Sequence, residues 1–134
     1  MNILFFIKPK AELTFVYDDE TLRQVLEKME YHKYAAVPMI SRENGTYMGT
    51  ITEGDILWEI KEHADLNLKD AEDIVIRNIK RYHDNLPVKV DADMEDLFSM
   101  VIQQNFVPVV DGKKTFIGIV TRKDVISYLC MHVE

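Results

Sequence analysis

The sequence contains one pattern twice, and this internal repeat constrains the fold more than any other feature. GTITEGDILWEI, residues 49–60, returns as GIVTRKDVISYL, residues 118–129. Glycine, threonine and aspartate occupy matching positions in the two segments, and apolar residues follow them at the same spacing. A second matching pair, AVPMI and FVPVV, lies upstream of these segments. The chain is therefore predicted to be a tandem duplication whose two copies fold alike.

The apolar spacing and turn residues of each copy predict the element order β-α-β-β-α. In the first copy, an apolar run at 13–17 indicates a strand, and apolar residues at helical spacing over 22–29 indicate an amphipathic helix. Residues 36–40 and 47–52 are expected to pair as a hairpin, because an Asn-Gly turn lies between them. A closing helix then begins at Thr52. The second copy repeats these elements in the same order.

The predicted fold class is α+β, with the first copy at residues 1–66 and the second at 67–134. A repeat of about 50–60 residues buries its sheet poorly alone, so the copies are expected to pack sheet to sheet with pseudo-twofold symmetry. Residues 67–80 are predicted to form a connector helix, and residues 1–10 a buried strand. The candidates for capping the first helix of each copy are Asp18, Asp19, Asp91 and Asp93.

The composition narrows the class of partner and the compartment. A formal net charge of −7 disfavours nucleic acid, whose binding depends on Lys and Arg that neutralise phosphates. No apolar run reaches the ~18 residues of a membrane span, and the opening apolar stretch is too short for a secretory signal. Cys130 is the only cysteine, which excludes an internal disulfide and favours a reducing compartment. A cytoplasmic location without membrane association is expected.

Both copies carry a Val-Pro strand followed by Gly-x-(Ile/Val)-Thr-x-x-Asp at the start of the closing helix. In this order, and in two copies, these residues resemble the CBS (cystathionine β-synthase) domain pair, or Bateman module. The resemblance implies a stand-alone regulatory module that binds an adenine nucleotide such as AMP, ADP or ATP in clefts between the repeats. It further implies a homodimer that signals to a partner protein by a change of conformation or dimer geometry. No cofactor, metal or catalytic activity is expected.

The resemblance also implies roles for particular residues. Asp55 and Asp124 would accept hydrogen bonds from ribose hydroxyls, and Thr52 and Thr121 would lie beside phosphate. Each cleft would draw on both repeats. The expected walls are Lys10, Ala11, Tyr34 and Ala35 for the cleft of Thr121 and Asp124, and Arg77, Ile79, Asn105 and Phe106 for the cleft of Thr52 and Asp55.

The two motifs differ in the charge of their intervening residues. Arg122 and Lys123 fill the second motif, where the first has Glu53 and Gly54. A phosphate near Thr121 would therefore meet two cations, which favours the second motif as the site of a phosphorylated ligand. The alternative is that both cations point to solvent.

Other interpretations of the repeated motif stay open. Thr-x-x-Asp at a helix start is close to a capping box, worth about 0.5–2 kcal/mol per cap, so the chain is alternatively a ligand-free interaction or scaffold module. S-adenosylmethionine, NAD or cyclic di-AMP would be a variant of the nucleotide hypothesis. An enzyme is disfavoured, because the sequence has no GxSxG, no Walker loop and no nucleophile beside a base. Trp58 is a candidate dimer contact.

Overall fold

The computed structural model describes residues 2–63 and 69–132, which form two compact units. The first unit lies between residues 14 and 84, and the second combines residues 2–13 with residues 85–132. The strands and helices of these residues are, in chain order, β1 (Lys8–Pro9), β2 (Val16–Tyr17), α1 (Leu22–His32), β3 (Ala36–Ile40), β4 (Tyr47–Thr52), α2 (Glu53–Glu62), β5 (Val88–Lys89), α3 (Met94–Gln103), β6 (Phe106–Val110), β7 (Phe116–Thr121) and α4 (Arg122–Met131).

The first unit has the predicted order β-α-β-β-α, from β2 to α2. Its sheet runs β2-β3-β4, with β2 parallel to β3 and β3 antiparallel to β4. The apolar sides of α1 and α2 cover this sheet, because their buried residues belong to one cluster with those of the strands. That cluster contains Val16, Leu22, Val25, Met29, Val37, Met39, Ile51 and Ile56.

The prediction that Asp18 and Asp19 cap α1 is wrong. Thr21 is the N-cap, and its hydroxyl accepts a hydrogen bond from the Gln24 N–H while the Gln24 side chain accepts from the Thr21 N–H. This reciprocal capping box uses the residue directly before the first helical turn. The two aspartates instead bind Arg42, through its backbone N–H at 3.0 Å and its guanidinium at 2.6 Å.

The predicted connector helix is absent from residues 69–80, while its first two residues lie outside the described ranges. Two short 3-10 turns, Asp70–Glu72 and Ile76–Asn78, take its place. The reason is that the backbone between them bonds to the start of α1: Leu22 N–H donates to the Ile74 carbonyl at 2.7 Å. Burial of Ala71, Ile76 and Ile79 in the first unit's core then favours an extended path over a helix.

The second unit repeats the order β-α-β-β-α from β5 to α4 and adds one strand. Its sheet runs β1-β7-β6-β5, with β5 parallel to β6 and the other pairs antiparallel. Gly118 allows β1 to approach β7, because a Cβ on it would lie 2.3 Å from the Lys8 carbonyl oxygen. The buried cluster of this unit contains Ile3, Phe6, Val88, Leu97, Val101, Val107, Val109, Val120 and Val125.

The opening segment is not the buried strand that its apolar residues predict. The Asn2 side chain accepts from the Leu4 N–H and caps a 3-10 turn at Ile3–Phe5, so among residues 2–10 only the two residues of β1 form a strand. Asp93 is the N-cap of α3, as predicted, although its side chain makes no capping hydrogen bond. Asp91 precedes it and is exposed.

The compact units divide the chain differently from the sequence repeats. Residues 2–13, assigned above to the first copy, belong to the second unit, because β1 pairs with β7. Residues 69–84, assigned above to the second copy, belong to the first unit. The boundary proposed between residues 66 and 67 lies outside the described residues and stays a prediction.

Candidate functional site

The first motif closes a complete capping box at the start of α2. Thr52 ends β4 and is the N-cap of α2, where its hydroxyl accepts from the Asp55 N–H at 3.1 Å. Asp55 Oδ2 returns the bond by accepting from the Thr52 N–H at 3.0 Å. One oxygen of the Asp55 carboxylate is therefore used by the helix itself.

The other oxygen of Asp55 binds a distant segment. Asp55 Oδ1 accepts a hydrogen bond of 2.9 Å from the Tyr82 N–H, and the residue is only 1% exposed. A buried carboxylate must have hydrogen-bond partners, and here two backbone N–H groups supply them. Asp55 thus fixes the segment around Tyr82 to the beginning of α2.

Further contacts hold this segment against β4. Asp84 Oδ1 accepts from the Thr50 N–H at 3.0 Å and from Arg81 Nη1 at 2.6 Å. Gly49 makes room for the guanidinium, because a Cβ there would lie 1.3 Å from Arg81 Nη1. Tyr47 lies beside them with its hydroxyl 2.6 Å from Thr50 Oγ1, and burial raises the pKa of this phenol above its ordinary value. Residues of the first unit itself therefore contact both β4 and the Asp55 carboxylate.

The second motif begins in the same way but does not close the box. Thr121 ends β7 and caps α4, with its hydroxyl accepting from the Asp124 N–H at 3.1 Å. Asp124 is half-buried, and no group in the described ranges donates a hydrogen bond to its carboxylate. A carboxylate beside a helix N-terminus is thus left with both oxygens available as acceptors.

The guanidinium of Arg122 binds the preceding helix of its own unit. Its Nε donates to the Val101 carbonyl at 2.6 Å and its Nη2 to the Ile102 carbonyl at 3.3 Å. A cation bound to the last carbonyls of a helix stabilises that helix end, here the end of α3. The guanidinium of Arg122 is therefore occupied in part by the end of α3, whereas Lys123 is exposed and has no hydrogen bond or ion pair within the described ranges.

Four residues predicted as cleft walls belong to the second unit. The Asn105 carbonyl accepts from the Arg122 N–H at 2.9 Å, and Phe106 is the strand partner of Thr121. Both were assigned to the cleft of the first motif, but within their own unit they are neighbours of the second. Lys10 and Ala11 lie in the 3-10 turn Lys10–Glu12, directly after the strand that pairs with β7.

The other four predicted walls belong to the first unit. The Ala35 carbonyl accepts from the Glu53 N–H at 2.9 Å, next to Thr52. Tyr34 is exposed and its ring stacks on His32 with centroids 5.3 Å apart. Arg77 has an exposed side chain, whereas Ile79 is buried in the core of the unit. The grouping of these eight walls into two clefts stays a prediction.

Sequence reasoning missed the residue that distinguishes the two motifs. Tyr82 contributes a backbone N–H, which every residue except proline has, so its side chain gives no sign of the contact with Asp55. Arg81 and Asp84 offered a weak signal, because opposite charges three residues apart suggest an ion pair. Their roles depend on Gly49, which is far away in sequence.

Two further features of the described part of the chain concern metals and membranes. In residues 2–63 and 69–132, no group of three or more His, Cys, Asp or Glu side chains is arranged to hold a metal ion. Over the same residues, no helix has the length and apolar character needed to cross a membrane.

Comparison with known proteins adds relatives of this sequence and fold. The chain is 25% identical over 139 residues to the uncharacterized protein MJ1225 of Methanocaldococcus jannaschii, covering 96% of this chain but only 49% of MJ1225, so it spans about half of that protein. The crystal structure of CbpB in complex with c-di-AMP superposes with a TM-score of 0.82 and 21% identity, covering 98% of this chain and 85% of CbpB. The crystal structure of CBSX2 in complex with AMP superposes with a TM-score of 0.75 and 22% identity, covering 97% of this chain and 96% of CBSX2.

The family assignment rests on a match in each copy of the repeat. The family model of the CBS domain matches residues 7–62 and, separately, residues 71–130. Both matches include the Val-Pro strand, the hairpin and the helix that begins at the motif threonine. The chain belongs to the CBS domain family, of which it carries a tandem pair.

Proposed function

We propose that this CBS pair is a regulatory module that binds an adenine nucleotide at its second motif and signals to a partner protein. The observation that carries the proposal is the carboxylate of Asp124, which is half-buried and has no hydrogen-bond donor among the residues described. A carboxylate with two available oxygens can accept hydrogen bonds from the two vicinal hydroxyls of a ribose. Asp124 is the residue that we propose for that role.

Neighbouring groups fit the phosphate side of such a ligand. Thr121 Oγ1 accepts from the Asp124 N–H, which leaves its own hydrogen free to be donated to a phosphate oxygen. The N-terminus of the ten-residue helix α4 favours an anion, and Lys123 adds one positive charge. Lys10, Ala11, Asn105 and Phe106 belong to the same unit and are proposed to flank the ligand.

Two structural relatives support the class of ligand. CbpB was crystallised with c-di-AMP and CBSX2 with AMP, and both ligands contain adenosine. AMP, ADP and ATP are our first candidates, because each offers two vicinal ribose hydroxyls to Asp124 and a phosphate to Thr121. NAD offers the same groups. c-di-AMP has one free hydroxyl on each ribose and S-adenosylmethionine has no phosphate, so these two alternatives would make only part of the proposed contacts.

The first motif is proposed to be structural in this chain. Both oxygens of Asp55 already accept backbone hydrogen bonds, so a ribose could bind there only after the Tyr82 N–H had been displaced. Leaving that part-buried N–H without an acceptor would cost up to about 3 kcal/mol. We therefore expect one nucleotide per chain, held by the second motif.

The proposed output is a change in self-association or conformation. Helices α2 and α4 expose large apolar residues that a monomer would leave in water, among them Trp58 at 45% exposure, and this supports a homodimer. A ligand shifts such an equilibrium only by its differential affinity for the two states. We propose a non-catalytic role in the cytoplasm, with the downstream protein engaged through this equilibrium.

The test is a thermal-shift panel with AMP, ADP, ATP, S-adenosylmethionine, NAD and c-di-AMP on nucleotide-free protein. A ligand at 100 times its Kd stabilises by about 2.7 kcal/mol, which amounts to several degrees. We expect the shift to vanish in Asp124→Asn and to persist in Glu95→Gln. Glu95 is a matched control, since it is an exposed carboxylate in the first turn of α3.

Three outcomes would overturn the proposal. A flat panel for the wild-type protein would leave a ligand-free interaction module, in which the motif threonines only cap helices. A shift that survives Asp124→Asn but disappears when Asp55 is replaced would move the site to the first motif. Release of new products during prolonged incubation with ATP would indicate an enzyme.

A further inference from the structure

Each sheet has a short edge strand at the same position of the repeat. β2 is at the edge of the first sheet and β5 at the edge of the second, and each pairs in parallel with the strand beside it. The N–H and C=O groups of successive strand residues point to alternate sides. The Val90 N–H donates to the Val110 carbonyl on β6, so the backbone groups of Lys89 point away from the sheet. Tyr17 is the equivalent residue of β2.

An ion pair closes the edge of β2. The Tyr17 N–H donates to Glu20 Oε1 at 3.0 Å, and Lys28 Nζ donates to the Phe15 carbonyl at 3.3 Å. Glu20 Oε1 and Lys28 Nζ are themselves 2.7 Å apart. The pair thus supplies the acceptor and the donor that one residue of a neighbouring strand would bring, and so it protects this edge.

The edge of β5 has no such ion pair. The repeat equivalents of the glutamate and the lysine are Ala92 and Met100, which carry no charge. The Lys89 N–H and the Pro87 carbonyl therefore have no hydrogen-bond partner in the part of the chain that the structure describes. A groove of about 430 Å³ runs beside them, with Ala92 and Met100 in its lining. We call this surface the β5 edge.

The available backbone groups suit one direction of strand. Pro87 has no N–H, and the Lys89 carbonyl already accepts from the Ala92 N–H at 3.0 Å. The groups that remain are one carbonyl and one N–H, two residues apart. A single residue of a parallel strand can bind both, because its N–H donates to the first and its carbonyl accepts from the second.

Carboxylates surround the β5 edge. Asp91 and Asp96 line the groove, and Asp93 and Glu95 lie near them at the start of α3. All four are exposed, and Lys89 is the one cation among the lining residues that the structure describes. A strand with basic side chains would be attracted here. A second copy of the same edge would instead bring carboxylates towards carboxylates, which opposes pairing.

We infer that the β5 edge binds an extended segment of a partner protein, rich in Lys or Arg, which adds to the second sheet as a parallel strand. Main-chain hydrogen bonds would hold the segment, and the groove would select its side chains. The inference rests on the partner protein named under Proposed function, and it adds the surface and the kind of segment. Nucleotide binding has no part in it.

Selection from a displayed library of random decapeptides tests the inference without a known partner. The variant that combines Ala92→Glu with Met100→Lys copies the ion pair of β2 and leaves the net charge unchanged. Peptides selected on the wild-type protein and depleted on this variant are titrated by fluorescence polarisation. We expect sequences with several Lys or Arg, which the variant binds at least about tenfold more weakly because two hydrogen bonds are lost.

Hydrogen exchange of the wild-type protein measures the edge directly and does not depend on a variant that folds. A saturating selected peptide should slow exchange of the Lys89 amide by about tenfold or more. The Tyr17 amide, which is bonded to Glu20, is the internal control and should not respond. N-methylation of successive peptide residues should abolish binding at the residue that pairs, which separates strand addition from charge attraction.

Two further variants test the charge of the partner. Asp91→Asn combined with Asp96→Asn should weaken the selected peptides several-fold, because it removes the carboxylates that line the groove. Glu30→Gln combined with Glu43→Gln is the matched control, since it removes two exposed carboxylates of the first unit. Cooperative urea unfolding shows that each variant is folded.

Several results would overturn the inference. These are no peptide enriched over the ion-pair variant, no change of Lys89 exchange when a peptide is bound, or peptides that tolerate N-methylation at every position. Selected peptides without basic residues would contradict the charge of the partner. Slower Lys89 exchange at higher protein concentration without peptide would mean that two copies pair here. The thermal-shift panel on the same variants measures nucleotide binding separately, so failure of one proposal is distinguished from failure of the other.

Discussion

Asp55 and Asp124 each follow an equivalent threonine by three residues, yet their carboxylates have different surroundings. Asp55 is buried and accepts from the Thr52 and Tyr82 N–H groups, whereas Asp124 has no donor among the described residues. The threonine hydroxyls do the same work in both, each accepting from the backbone N–H three residues on. The Thr-x-x-Asp spacing therefore fixes the helix cap, while a segment elsewhere in the chain decides whether the aspartate carboxylate is available to a ligand.

The largest expected effect is that of Asp55→Ala. The substitution leaves the part-buried N–H groups of Thr52 and Tyr82 without acceptors, and each such loss costs up to about 3 kcal/mol. We expect the free energy of unfolding to fall by about 2–4 kcal/mol in urea denaturation. Glu53→Ala, an exposed first-turn carboxylate of the same helix, is the control. A loss no larger than that of the control would mean that the hydrogen bonds accepted by the Asp55 carboxylate contribute little to stability.

Alkaline pH should destabilise the first unit through Tyr47. Burial raises the pKa of this phenol in the folded state above its ordinary value of about 10. Its contribution is therefore complete below about pH 10 and is lost as the pH rises further, because the unfolded chain then releases the proton more readily. The free energy of unfolding should fall by up to about 1.4 kcal/mol per pH unit in this range.

The second unit supplies the contrast, because the buried residue equivalent to Tyr47 is Phe116. Urea denaturation of wild type and Tyr47→Phe, at about pH 9 and about pH 11, measures the effect. The variant should show the smaller alkaline loss. Parallel losses in both proteins would assign the alkaline sensitivity to other groups.

Thr52→Ala and Thr121→Ala should have similar effects on stability and different effects on ligand binding. Each removes an N-cap hydroxyl, which costs about 1 kcal/mol. Only Thr121→Ala is expected to weaken nucleotide binding as well, since its hydroxyl is proposed to reach phosphate. Chemical denaturation of both variants measures the free energy of unfolding, and ligand titration measures their affinity for the nucleotide. Equal loss of nucleotide affinity in the two variants would mean that the two motifs do not differ in their role in binding.

The smallest expected effect on stability is that of Asp124→Ala without ligand. Its carboxylate accepts no hydrogen bond from the described residues, so only its interaction with the α4 dipole is lost, at about 0.3–1 kcal/mol. The same variant should nevertheless abolish the nucleotide shift. A stability loss as large as that of Asp55→Ala would mean that Asp124 is structural too.

The sequence predicted the elements of each copy better than the contacts between distant segments. Helical spacing around Leu22 and Met29, and the Asn-Gly turn, act within a few residues, and these elements form as expected. The stretch from Asp70 to Ile79 was predicted as helix, but its backbone pairs with the start of α1 instead. Local pattern cannot anticipate such a partner, because tertiary hydrogen bonds and burial override weak helical preference.

The same limit applied to the candidate site. The motif threonines and aspartates were identified, and both threonines cap helices. The unequal state of the two aspartates depends on the Tyr82 backbone, and the position of Arg122 depends on carbonyls at the end of α3. Neither contact leaves a pattern in the side chains, so charge alone suggested that Arg122 would serve a phosphate.

The pairing of β1 with β7 has a consequence for the order in which the protein is made. The strand at Lys8–Pro9 is synthesised before the whole first unit, but its partner, from Phe116 to Thr121, emerges more than a hundred residues later. During translation the first unit can complete its sheet before β7, the strand with which β1 pairs, has been synthesised. Contacts between ends so distant in sequence close slowly, and N-terminal regions normally fold first. In this chain a segment that is synthesised early joins the sheet whose other strands are synthesised last.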